Sequence, residues 1–334
     1  MFLTFFFVFL CVIFIYFNKR GTQVSNTLKI IDPLPGFFLF NPCSCTLKNK
    51  SVDVFRYSTR NYCQNNVLPF NYIRYGYEEL NKKQTSYIVV RIKDGLESTS
   101  TYLDTSIFGP GNYEDARIIA VNDEKAAIVL TRFAYWKPRI CVALINISTD
   151  NKLTVLGGIE FKSDSFQKNW MPRMYKDSLL LYASLETNLI YTIPQIETLK
   201  GYKIISIDNQ KIGRWRGSAP IHDCKHGTIG LVHYRIDPQI KKHYLPNYVN
   251  AFFSLDHQGN YTIYNEFTVE LKNVPGFVYI SGFLVLSDGQ IEFCAGVTDC
   301  YGVKFVVSEE LFLNSLFKKS YQKIEITPEA LEIY

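Results

Sequence analysis

The stretch GNYEDARIIAVNDEKAAIVLTRF, residues Gly111 to Phe133, decides how the rest of the chain is read. It opens on a charged cluster, Glu114, Asp115 and Arg117. An apolar run follows from Ile118 to Val121, then the polar turn Asn122-Asp-Glu-Lys125, then a second apolar run from Ala126 to Leu130. Two short β-type runs joined by a polar turn are the pattern of a hairpin. Charged residues at the mouth of its first strand are placed to reach a site shared with other hairpins.

Working outward, the layout recurs. Arg139 to Ile147 and Leu153 to Phe161 complete a four-run set begun at Arg117. Later sets comprise Ser178–Ser184, Leu189–Ile193 and Tyr202–Ile207; then Gly227–Ile236, Ala251–Leu255 and Tyr261–Phe267; then Val278–Leu286, Ile291–Val297 and Val303–Val307. Each opens on a similar device: Tyr113-Glu-Asp-Ala-Arg117, Lys168-Asn-Trp-Met-Pro172, Arg216-Gly-Ser-Ala-Pro220 and Val278-Tyr-Ile-Ser-Gly282. The sets recur about every 45–60 residues, close to the repeat lengths of four-stranded propeller blades. With a first blade between about 50 and 105, containing a strand at Ile88–Ile92, the pattern predicts an all-β chain folded as a five-bladed β-propeller. A pair of β-sandwiches is the rival architecture.

Composition agrees with a β-rich chain. Of 334 residues 15% are aromatic, including 23 Tyr and 25 Phe, which strands favour. The net charge of +5 comes without a long basic run, so nucleic acid is not an expected partner. Phe2 to Phe17 is uninterrupted apolar sequence followed by Asn18-Lys-Arg20. Residues 1–20 therefore read as a signal anchor or transmembrane segment in preference to a cleaved signal, with the membrane as a partner through residues 2–17. Lys19 and Arg20 favour a cytosolic C-terminal flank. The sequons at Asn49, Asn146 and Asn260 favour a lumenal or extracellular domain, which is the expectation adopted. Residues 21–50, broken by Pro33, Pro35 and Pro42, read as a linker leading into a propeller that spans residues 51–334. Of eight cysteines, Cys11 lies in the anchor; Cys43 or Cys45 could be stapled to Cys63, or the thiols could be free and buried.

In a propeller the starts of the inner strands converge, which would gather Asp115, Arg117, Lys168, Asn169, Arg216, His233 and Asp299. A carboxyl group beside cations suits general acid work if burial raises its pKa; the alternative for Asp115 and Arg117 is an ordinary structural ion pair. Trp170 and Tyr234 would offer aromatic faces to a sugar. His222-Asp-Cys224-Lys-His226 has ligand-type residues without a partner cluster and reads as a polar hairpin turn, so no metal is expected, and no cofactor. The chain has neither the strand–helix context of a phosphate loop at Gly109-Pro-Gly111 nor a Gly-x-Ser-x-Gly nucleophile elbow.

Four segments, Glu114-Asp-Ala-Arg117, Gly217-Ser-Ala-Pro-Ile221, Gly230-Leu-Val-His-Tyr234 and Ala295-Gly-Val-Thr-Asp299, resemble in order and spacing motifs of glycoside hydrolase family 130. That family holds five-bladed propellers acting on β-mannosides, mostly as phosphorylases, and resembles β-1,2-mannosyltransferases and propeller domains of bacterial glycosyltransferases. The likeness covers residues 85 to 315. It implies Asp115 as proton donor acting through a sugar hydroxyl, with Asn169 and Asp299 binding the sugar; Glu114, Arg117, Trp170 and Tyr234 complete the expected substrate-binding set. Lys168, Arg216 and His233 would line the phosphate or leaving-group side. The chain departs from the pattern at Tyr182-Ala-Ser-Leu-Glu186, which lacks a phosphate-binding arginine, and at Ala116, where proline is usual. The expected function is a carbohydrate-active enzyme on mannosides or related glycans, by transfer, phosphorolysis or hydrolysis of a glycan or sugar phosphate, with a catalytically silent glycan-binding propeller as the alternative.

Overall fold

A computed structural model describes residues 38–58, 86–134, 137–161, 168–184, 189–206, 215–236, 247–257, 259–271, 277–297, 301–309, 322–326 and 331–333. Its strands form five sheets, as the repeat spacing predicted, and they are arranged as the five blades of a β-propeller. Blade I is β1 (Phe38–Leu47), β2 (Lys50–Ser58), β3 (Ser86–Asp94) and β4 (Glu97–Tyr102). Blade II is β5 (Asn112–Ala120), β6 (Lys125–Ala134), β7 (Lys137–Ile147) and β8 (Leu153–Phe161). Blade III is β9 (Met171–Tyr175), β10 (Ser178–Ser184), β11 (Leu189–Ile193) and β12 (Lys203–Ser206).

In blade IV the inner edge is split into β13 (Arg216–Gly217) and β14 (His222–Cys224), both paired with β15 (Gly227–Ile236). Pro220 lies in the gap, where its missing N–H removes a ladder bond. β16 (Asn247–Leu255) and β17 (Tyr261–Leu271) follow. Blade V is β18 (Val278–Val285), β19 (Ile291–Val297) and β20 (Tyr301–Val307). The C-terminal residues straddle the last two blades: β21 (Gln322–Ile326) adds in parallel to β17, and β22 (Leu331–Ile333) pairs with β20. The predicted His222–His226 hairpin is the β14–β15 turn.

The first blade corrects the sequence reading. The segment read as a linker up to residue 50 contains β1, so the propeller begins by Phe38. Pro42 does not break the strand because it sits in a β-bulge. The register steps from Phe40↔Arg56 to Cys43↔Val54, and Asn41 takes a φ of 51°. One extra residue is absorbed there, and a bulge is a place where a strand tolerates proline. The anchor read at residues 2–17 lies outside the described residues, among which no helix is long and apolar enough to cross a membrane. Cys43 and Cys45 are buried free thiols, so neither forms the staple to Cys63 considered above.

The blades pack through their apolar faces. Separate clusters of buried side chains join blades I and II, II and III, III and IV, and IV and V. Between IV and V, Phe252, Phe267, Phe283, Phe293 and Phe305 are each 2% exposed or less. Burying a side chain of that size contributes about 1.5–3 kcal/mol. The seam closing the ring between blades V and I carries a buried polar group instead. Lys304 Nζ lies 2.8 Å from Asp53 Oδ1 and 3.0 Å from Glu292 Oε1. Ser44 Oγ donates to Asp53 at 2.6 Å and lies 3.2 Å from Cys294 Sγ. Ser281 Oγ adds a hydrogen bond to the Pro42 carbonyl.

Candidate active site at the propeller axis

The device that opens each blade is a local kink that aims one polar side chain inward. In β5 the pairs Glu114↔Thr131 and Arg117↔Val129 leave Asp115 and Ala116 opposite one residue, and Asp115 has a φ of 52°. β1 does the same at Asn41-Pro42, and β18 bulges at Ser281. Asn169, with a φ of 69°, lies two residues before β9 begins, and Ser218 directly follows β13. Asn41, Asp115, Asn169, Ser218 and Ser281 are thus five versions of one position, and all five are buried. Aspartate and asparagine tolerate the left-handed region better than other residues with a Cβ. The backbone alone thus accounts for part of the choice of residue at three of these places.

Asp115 is the hub. Asn41 Nδ2 donates to Asp115 Oδ1 at 3.0 Å, and Lys168 Nζ lies 3.0 Å from Asp115 Oδ2. Lys168 is also 3.7 Å from Glu114 Oε2, and Glu114 is paired on its other oxygen with Arg56. Arg117, which the alternative reading paired with Asp115, is instead bound elsewhere. Its Nε donates to the Ser218 carbonyl, Nη1 to the Ala116 carbonyl at 3.0 Å, and Nη2 to the Tyr279 hydroxyl at 2.6 Å. Arg117 therefore ties blade II to blades IV and V and acts on Asp115 only through its field.

These charges set the protonation states. Burial pushes the Asp115 pKa upward, but Lys168, Arg117 and Arg56 outweigh it and hold the carboxyl well below the usual range. The raised pKa expected of a resting general acid is not found, because the cations crowd the carboxylate more closely than the sequence indicated. Lys168 is raised by the Asp115 charge. His233 is buried, with Nδ1 2.7 Å from Ser218 Oγ, and burial aided by Arg117 and Arg216 lowers its pKa to about 3. Burial also lowers His222 to about 4.

Both histidines are neutral in the folded protein and titrate near 6.5 when unfolded. The stability this gives is complete above pH 6.5 and is lost as the pH falls toward the folded values. Urea denaturation is accordingly expected to show a midpoint that drops between pH 6.5 and 4. In His222→Gln the drop should be shallower; an equal drop would show that His222 is not one of the groups responsible.

Other candidates fall into place or fall away. Asn169 is buried, and its Oδ1 has no hydrogen-bond partner among the described residues, as is true of Asn41 Oδ1. Arg216 is exposed and stands opposite His233 in the β13–β15 register. Trp170 is not a sugar platform: it is 1% exposed, stacked on Tyr191 at 4.4 Å and edge-on to Phe161 in the core between blades II and III. Tyr234 follows His233 on β15 and so points to the opposite face, where it packs on Trp215 and donates to Glu266 at 2.9 Å. Asp299 lies outside the described residues. Sequence reasoning missed Asn41, Arg56, Ser218, Tyr279 and Ser281. Asn41 was recoverable, since Asn41-Pro42 is a fifth copy of the opening device, hidden by its assignment to a linker. Among the described residues no group of three or more His, Cys, Asp or Glu could hold a metal ion.

The close approach of strands around the axis requires glycine at two points. A Cβ on Gly217 would collide with the Asn169 carbonyl, and one on Gly296 with Asn41 Oδ1. Gly217→Ala is expected to cost about 1–3 kcal/mol, the usual price of overpacking, because the obstacle is backbone and cannot rotate away. Chemical denaturation measures this; a variant as stable as the parent would show that the approach at Asn169 is loose.

No family model matches the sequence, and no curated protein matches it. Solved structures do. A glycosyl hydrolase from Bacteroides ovatus superposes with a TM-score of 0.57 at 13% identity, covering 85% of this chain and 93% of its own. A structure from glycoside hydrolase family 130 has a TM-score of 0.54 at 13% identity, covering 86% and 93%. That family of mannoside phosphorylases contains glycoside hydrolases that target β-1,2-mannosidic linkages in Candida mannan. A family 43 β-1,3-galactosidase has a TM-score of 0.51 at 12% identity, covering 86% of this chain and 60% of that one. At these identities the likeness establishes the shared fold, a five-bladed propeller.

Proposed function

We propose that the propeller is a glycan-active enzyme working on mannosides, with its reacting centre at Asp115. The observation that carries this reading is the construction of the axis. A buried carboxylate there accepts a hydrogen bond from the buried Asn41 and pairs with Lys168, which the buried Asn169 follows. Each asparagine has an amide oxygen without a hydrogen-bond partner among the described residues. Buried polar atoms without partners mark places where a ligand hydroxyl or water belongs. Asn41 and Asn169 can accept hydrogen bonds from sugar hydroxyls while Asp115 holds a third.

The charge balance adds the chemical class. Arg56, Arg117 and Lys168 act on Asp115 and Arg216 acts on His233, an excess of cations over Glu114 and Asp115 that suits an anionic co-substrate or leaving group. In the reaction proposed, a nucleophile attacks the anomeric carbon and the bond from that carbon to the departing oxygen breaks. The departing oxygen receives a proton that originates on Asp115 and passes through a sugar hydroxyl. Phosphate as nucleophile gives phosphorolysis, and water gives hydrolysis with its surplus proton released to solvent. In transfer from a sugar phosphate the direction reverses: phosphate departs as an anion and ionised Asp115 takes up the acceptor hydroxyl's proton through the sugar hydroxyl. The fold is shared by mannoside- and galactoside-active structures, so the preference for mannose rests on the four motifs that resemble family 130. Residues 2–17 would tether the enzyme to a membrane, with the propeller on the lumenal or extracellular side.

A second reading is favoured by one observation. Asp115 is held ionised at rest, as a binding propeller without catalysis would hold it. The full chain, offered mannose-1-phosphate, GDP-mannose, and β-mannooligosaccharides with and without phosphate, separates the two. Product from any donor is the expected result. Saturable glycan binding without turnover of every donor would replace the enzyme with a lectin-like module.

A further inference from the structure

The central cation of the site is shared between two carboxylates. Lys168 Nζ is 3.0 Å from Asp115 Oδ2 and 3.7 Å from Glu114 Oε2. Each carboxylate is also held by another group, Asp115 by Asn41 and Glu114 by Arg56. Lysine is the loosely held member. Its side chain is 40% exposed, against 5% for Asp115 and 15% for Glu114. A four-carbon stem with a rotatable ammonium can move its charge between two acceptors, or to an acceptor in solvent, without moving a strand.

We propose that Lys168 is a movable counter-ion that couples anion binding to the protonation of Asp115. A phosphate or phosphate-ester anion arriving from the solvent side draws Nζ away from Asp115, with Glu114 as its remaining protein partner. Asp115 then takes up a proton from water. The inference rests on Asp115 being the proton donor, and it answers the difficulty that this carboxyl is ionised at rest.

The groups facing Asp115 allow the change. Asn41 on β1 is uncharged and can hydrogen-bond either protonation state through its amide. Arg56 on β2 is neutralised by Glu114, and Arg117 on β5 spends its donors on Ser218, Ala116 and Tyr279. His233 on β15 is neutral, Tyr279 on β18 is an un-ionised phenol, and Arg216 on β13 is exposed. Lys168 is the cation in direct contact with the carboxylate. Removing it leaves only the more distant fields of Arg117 and Arg56 to set against burial and the ligand's negative charge, which both favour the neutral acid. A neutral sugar offers Lys168 no competing charge and should leave Asp115 ionised. The mechanism thus makes the proton available only when an anionic reactant is in place.

The test is carboxyl NMR of the full chain in detergent, with ¹³C-labelled aspartate and the Asp115 signal assigned by its loss in Asp115→Asn. Inorganic phosphate or mannose-1-phosphate is expected to raise the Asp115 titration midpoint by about 1–3 pH units, and mannose is expected not to. A response to either anion supports the coupling, and which one responds tells free phosphate from the ester. Lys168→Met should raise the midpoint by a similar amount without ligand and remove the response to phosphate. Lys168→Gln provides the same comparison if the methionine variant misfolds. A wild-type midpoint insensitive to both anions overturns the proposal. So does a phosphate shift that is equally large in both the parent and the lysine variants. The titration needs no turnover, so it fails independently of the enzymatic reading. A phosphate-sensitive Asp115 in a chain that turns over no donor would preserve the coupling and remove the enzyme. Turnover with an insensitive Asp115 would do the reverse.

Discussion

Asp115→Asn is expected to leave the propeller folded and to cut turnover of a mannoside donor by about 10²–10⁴-fold, the range for loss of a positioned proton donor. The fold should survive because asparagine is isosteric and accepts the left-handed backbone that this bulge imposes, with φ at 52°. Its amide oxygen can still receive the hydrogen bond from Asn41. The stranded-charge penalty of a broken buried pair, roughly 3–5 kcal/mol, applies only in part. Lys168 keeps Glu114 at 3.7 Å and reaches solvent. Melting and turnover measured on the same preparation separate the roles. A destabilised variant with full activity per folded molecule would make Asp115 a structural residue. A stable variant that has lost turnover and still binds the glycan would make it the reacting group.

The largest stability effect is expected far from that chemistry, at the seam between blades V and I. Lys304→Met removes the cation from an Asp53 that is fully buried and leaves Ser44 at 2.6 Å and Ser51 at 3.5 Å as neutral hydrogen-bond donors, with Lys93 3.9 Å away. Stranding such a carboxylate should cost roughly 3–5 kcal/mol. An exposed pair such as Lys125 and Glu197, 3.1 Å apart, should cost about 0–1 kcal/mol when broken the same way. The seam matters because blades I and V share no strand: β1 to β4 form one sheet, and β18, β19, β20 and β22 another. Side chains must close the ring there. The double variant Asp53→Asn with Lys304→Met should recover most of the loss, since neither charge is then stranded. Denaturant unfolding reads both effects; a Lys304→Met protein as stable as the parent would show that apolar packing closes the ring unaided.

The blades themselves were legible in the chain. Strand periodicity and polar turns located β5 to β8 and β15 to β20 to within a few residues, because each run is a local amphipathic pattern. The beginning of the propeller was misplaced because Pro42 argues against a strand wherever the bulge that accommodates it cannot be seen. Trp170 and Tyr234 were assigned to the sugar because aromatic residues near polar ones look like a platform. Whether a side chain faces the axis or the neighbouring blade depends on the pleat and on where each bulge falls.

The sequence by itself determined the repeat, the strand content, and two of the five polar residues carried to the axis, Asp115 and Asn169. Those features follow from short-range periodicity and turn chemistry. Only the tertiary structure decided that Lys168 and not Arg117 pairs with Asp115, that Asn41 donates to it from 74 residues away, and that cations hold it ionised. Electrostatic interactions depend on distance in space and on the depth of burial, and neither is encoded in separation along the chain.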